Sequence, residues 1–151
     1  MRVTFLVFLI TLAGFAFAND ARIGATPPDQ RLLLGLDDDE RNFLLHEMRG
    51  LLSAAQSILD ATLADDRPRV IESARAAGVG PQGAAQHIPP RLREKLPEAF
   101  RKLGLGTHQA FDEIASDAEA GAARDALQRK LAAAMQRCVA CHAAYGLRSS
   151  R

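Results

Sequence analysis

The chain has 151 residues, with 19 Lys and Arg against 18 Asp and Glu, so no field of one sign argues for nucleic acid or an anionic membrane surface. It has no Trp, a single Tyr and abundant Ala, which suits close-packed helices better than a sheet. No repeat at a period of about 20 to 50 residues, no glycine-rich phosphate loop and no serine, histidine and acid spacing stands out, which removes solenoids and the common nucleotide and hydrolase signatures.

Residues 1–18 have the form of a cleaved export signal. Arg2 is a short basic region, Val3 to Phe15 an apolar one, and Ala16-Phe17-Ala18 a small-x-small cleavage site. The apolar run falls short of the ~20 residues a membrane span needs, so no span is expected after cleavage. Residues 19–151 then form one domain's worth of chain, and loss of Arg2 leaves 18 basic residues against 18 acidic. The compartment expected is the periplasm.

Residues 19–36, with Pro27-Pro28 and Leu32-Leu33-Leu34, read as an irregular arm laid over the domain that follows at 37–151. Asp37, with Glu40 three residues on, has the form of a capping box and opens a long first helix. Leu44, Met48, Leu51, Ala55, Ile58 and Thr62 recur at intervals of four and three, the seam of a helix packed in a bundle. Leu45, Leu52 and Leu59 make a second stripe that faces the core, a partner subunit, or both.

Asp66 caps a second helix with Pro68 in its first turn, and Gly78 and Gly80 end it. Residues 79–90 form an irregular connection, followed by a turn of helix over 91–96. A third helix from Pro97 buries Phe100, Leu103, Phe111, Ile114 and Ala118; Gly104 and Gly106 inside it mark a kink or a close approach of backbone to a flat group. The fourth long helix spans about 125–145, with Leu127, Leu131, Ala134, Cys138, Cys141 and Tyr145 on one seam.

That seam carries Cys138-Val139-Ala140-Cys141-His142, the attachment signature of one c-type haem. Residues three apart share a helix face, so both thiols can add to the vinyl groups of one porphyrin while His142 offers its imidazole as proximal ligand to the iron. The rival readings are a disulfide and half a zinc site. The chain has no other cysteine to complete a zinc set, and a disulfide would close only a tiny loop and leave His142 without a role. Haem attachment and export support each other, since thiols held as thioethers fit an oxidising compartment.

Four helices with CxxCH in the last of them, behind an export signal, resemble the cytochrome c-prime family over essentially the whole mature chain. The resemblance implies an all-α fold, a left-handed up-down-up-down four-helix bundle with covalently bound haem between its helices and His142 as proximal ligand. Members divide at the other face of the iron. Some keep a bulky apolar residue over an open position and bind small gases; others place a first-helix methionine there and carry electrons.

Met48 is the candidate for that distal place, against the alternative that it simply fills the core. If Leu44 or Leu45 covers the iron instead, the gas-binding reading returns. Phe100, Phe111, Met135 and Tyr145 are further candidates for the haem pocket. His46 points away from Met48's target, His87 lies in the connection, and His108 is expected at the surface or boundary. Gly146 stands where members commonly carry an arginine or lysine, with Arg148 two later, so proximal chemistry that depends on that cation is not implied. The expected function is single-electron transfer without catalysis, with periplasmic redox proteins as partners and, by the resemblance, a homodimer through the first two helices. The alternative is a nitric oxide or carbon monoxide binding protein.

Overall fold

The first two helices start at the aspartates that the sequence offers as caps, while the later ones start without a side-chain cap. The computed structural model of the protein describes residues 28–81 and 83–148. The export segment read at 1–18, and the first part of the arm, lie outside the described residues. Helix α1, Asp38–Leu63, begins where Asp37 Oδ1 accepts from the Glu40 amide at 2.9 Å and Glu40 Oε2 accepts from the Asp37 amide at 3.1 Å, a reciprocal capping box. It ends with Asp65 at φ 56° while the Asp66 amide donates to the Ala61 carbonyl at 2.8 Å, a left-handed stop filled by aspartate instead of glycine.

Asp66 then caps α2, Arg67–Ala77, by accepting from the Arg69 amide. After a 3-10 turn at Ala84–His87 come α3, Pro90–Lys95, α4, Glu98–Glu119, and α5, Arg124–Ala144. The all-α expectation holds, and α4 runs without a break through Gly104 and Gly106.

α1 packs on α2, α2 on α4, α4 on α5 and α5 back on α1, so four helices close a ring. α2 has 11 residues against 26, 22 and 21 in α1, α4 and α5. It therefore covers only one end of the ring. There Ala55, Ile58, Val70, Ala74, Phe111, Ile114 and Leu131 form the larger apolar cluster. Arg67 Nη1 donates to the carbonyls of Ala118 and Ala122 at 2.9 and 3.1 Å, tying the start of α2 to the end of α4.

The other end is closed by different means. Leu34, Leu36, Leu44, Leu92, Leu96 and Phe100 form a second cluster, with Lys95 of α3 paired to Glu40 of α1 at 2.6 Å. The arm is more regular than expected from its sequence. Strand β1, Leu32–Leu34, pairs in parallel with β2, Tyr145–Leu147, with Leu33 opposite Gly146. A Cβ on Gly146 would stand 2.9 Å from Cδ2 of Leu33, the end of a side chain that is 40 % exposed and can turn aside. A two-stranded pair of three residues each carries too little periodicity to be read from sequence.

Candidate functional site

Between the two apolar clusters lies a cavity of about 890 Å³. It exists because α2 stops at Ala77, so the stretches of α1, α4 and α5 beyond it face one another without a fourth full-length helix between them. Ala85 and Ile88 of the connection and Leu96 close part of the gap.

Nine of the ten residues singled out from the sequence line this cavity. α1 supplies Leu44, Leu45 and Met48; α4 supplies Phe100 and Phe111; α5 supplies Met135, Cys138, Cys141 and His142. The spacing argument explains much of the convergence, since Leu44 and Met48 are four apart on α1 and Met135, Cys138 and Cys141 recur every three residues on α5. Tyr145 is the exception. It ends α5 and packs edge-on against Phe100 with ring centroids 5.2 Å apart, backing the wall from behind.

Leu44 is buried, Met48, Leu45 and both cysteines are half-buried, and His142 is exposed. Both cysteines are free thiols, and burial pushes both up from the ordinary thiol range, so they stay protonated at neutral pH. Leu52, Leu105, Met135 and Val139 also line the cavity yet are 66 %, 51 %, 45 % and 61 % exposed. Four large apolar side chains at one opening mark a surface suited to covering by an apolar body.

His108 corrects the sequence reading. It is only 5 % exposed, it lines the cavity, and its Nδ1 lies 2.7 Å from the Ala77 carbonyl. That carbonyl is at the open end of α2, where the helix has no further amide to bond it, so the ring serves as a cap from a neighbouring helix. His108 lies three residues from Phe111, yet the sequence reading put it at the surface or boundary, because the position of the end of α2 was not in the sequence pattern. His46 and His87 are exposed, as expected for His46.

A flat porphyrin suits this space. Its volume lies toward the upper end of the ~300–1,000 Å³ range of cofactor sites, its walls are mostly apolar, and two thiols three residues apart stand on one wall beside an imidazole. Among the described residues no three His, Cys, Asp or Glu side chains converge to hold a bare metal ion. A porphyrin needs no such cluster, because its own nitrogens fill the equatorial positions. Also lining the cavity, and missed by the sequence reading, are Arg49, Arg93, Arg101 and Arg137. Arg49 and Arg137 each adjoin a site residue in sequence, the one signal that pointed to them.

No family model, curated protein or solved structure matches the chain. No helix among the described residues is long and apolar enough to cross a membrane.

Proposed function

We propose that the chain is a periplasmic c-type cytochrome that carries single electrons. The observation that carries this reading is the convergence of Cys138, Cys141, His142 and Met48 on one large apolar cavity. Haem c, joined through two thioethers to Cys138 and Cys141, would supply the one-electron iron couple.

The chain's own residues would do the rest. His142 offers an imidazole beside the attachment pair, and Met48 a flexible thioether from α1. Leu44, Phe100 and Phe111 would exclude water from the bound group, and a low-dielectric pocket with His142 and Met48 held on its walls would limit reorganisation when its charge changes. The left-handed up-down-up-down bundle implied by the cytochrome c-prime resemblance is supported by the ring of α1, α2, α4 and α5 and by the connections of three residues between α1 and α2 and four between α4 and α5, which favour antiparallel neighbours, while α2 and α4 are joined by the longer stretch 78–97. Partners would be periplasmic redox proteins meeting the exposed apolar opening in small transient contacts.

The flanking of Met48 by Leu44 and Leu45 on the same wall favours a second reading, a nitric oxide or carbon monoxide binder with a leucine over an open iron. The optical spectrum of the exported protein decides between them. A low-spin spectrum with a methionine-to-iron charge-transfer band and no response to carbon monoxide supports electron transfer. A high-spin spectrum that changes with the gas supports the second reading, and a protein without covalent haem overturns both.

A further inference from the structure

Cys141 and His142 stand on the last turn of α5, which ends at Ala144. That end has no left-handed stop. The Tyr145 amide donates to the Cys141 carbonyl, and Tyr145 then passes straight into extended backbone at φ −126° and ψ 144°. The final turn of a helix frays unless something packs on it, so its orientation depends on what the extended segment is bound to. That segment is β2, and its partner is the arm from the other end of the chain: Leu32 opposite Tyr145, Leu33 opposite Gly146 and Leu34 opposite Leu147.

A parallel pair of three residues a side is too short to hold by its own ladder. Side chains anchor it instead. Leu34 and Leu36 are 4 % and 8 % exposed in the cluster with Leu44, Leu92 and Phe100, and Cys141, Tyr145 and Leu147 pack against that same cluster. Gly146 is buried under the arm, since a Cβ there would stand 3.5 Å from Arg31 Cζ as well as close to Leu33. Arg31 is in turn held by Asp29, whose carboxylate accepts from its Nε at 2.9 Å and its Nη2 at 2.7 Å. Gly35, Leu36 and Asp37 then lead directly from β1 into α1, the helix of Met48. One short segment therefore ties the end of the His142 helix to the start of the Met48 helix.

We propose that the arm is a strap that fixes the last turn of α5 against α1, so that β1 positions the His142 imidazole from the far end of the chain. Leu34 is the anchor of this strap and acts through the backbone pair, without being a ligand itself. The inference rests on the reading of His142 as a haem ligand. It adds that the ligand's orientation is set by residues outside the four long helices and more than 100 positions away in sequence.

The test uses the holoprotein and three variants: Leu34→Ala, the milder Leu34→Val, and Val70→Ala, which removes bulk from the other cluster. Three quantities are read: amide exchange at residues 145–147, the ferric electron paramagnetic resonance spectrum, whose g-values follow the orientation and strength of the axial ligands, and the midpoint potential. Leu34→Ala is expected to speed exchange at 145–147 by at least about tenfold and to move the g-values and the potential with it. Leu34→Val moves all three less and in the same direction, and it carries the comparison if Leu34→Ala does not load haem. Val70→Ala lowers the melting temperature and leaves all three near wild type. Faster exchange with unchanged g-values and potential overturns the proposal, because the strand would then be held without holding the ligand. Equal shifts in Val70→Ala overturn it as well, by assigning the effect to general loosening. A wild-type protein without covalent haem overturns this inference together with the proposed function, whereas a loaded protein whose iron is insensitive to Leu34 overturns this inference alone.

Discussion

Met48 decides the chemistry of the proposed centre, because it is the one thioether on the α1 wall and stands with His142 on the same cavity. Met48→Ala is expected to turn a low-spin, gas-insensitive iron into a high-spin one that binds carbon monoxide. The spectrum with and without the gas reads this directly, and an unchanged spectrum would return Met48 to core filling. His108 acts through a different bond. Its ring answers the Ala77 carbonyl from 31 residues away, so replacement by leucine keeps bulk but leaves a buried acceptor unsatisfied. The expected cost is about 1–3 kcal/mol, seen as a lower denaturation midpoint with an unchanged denaturant slope. These two residues also show what a sequence discloses. Met48 was legible because periodicity alone places it on a seam. The role of His108 was not, because it depends on where another helix ends.

At the scale of elements, the connection between α2 and α3 does as much for the cavity as the long helices. Gly78 follows the end of α2, and a Cβ there would overlap the Asp112 carboxylate that accepts from the Val79 amide at 2.7 Å. A Cβ on Gly83 would overlap the Gly78 carbonyl. The loop can thus double back tightly enough to bring Ala85 and Ile88 onto the cavity only with hydrogen at both positions. Gly83→Ala is expected to cost about 1–3 kcal/mol by overpacking, measured by thermal or chemical melting, and to disturb the haem spectrum more than its distance in sequence from Cys138 suggests. Punctuation by Gly and Pro was enough to read this stretch as irregular, and the caps at Asp37 and Asp66 were legible to the residue. The pairing of β1 with β2 was not, because Leu32-Leu33-Leu34 has no alternation, is only three residues long and gains its partner from the far end of the chain.

For the molecule as a whole, the division into two apolar clusters with a cavity between them predicts unequal stability. The cluster around Ile58, Phe111 and Ile114 is closed by four helices and holds most of the fully buried side chains. The cluster around Leu44, Leu92 and Phe100 draws on a short helix, a short strand and the cavity walls, so it gains most from whatever fills the space. A porphyrin there would cover the apolar side chains at the opening and join the two clusters into one core. A Cys138→Ser/Cys141→Ser variant, prepared without haem, is therefore expected to melt at lower temperature and to unfold in two parts. Amide exchange should remain slow over residues 54–77 and 110–134 while it becomes fast over residues 38–48, 90–100 and 138–147. The covalently loaded protein should protect both regions in one cooperative step. Uniform exchange in the haem-free variant would mean that the clusters are already coupled through the helices, and that the cavity is a space the fold tolerates and not a gap in its core.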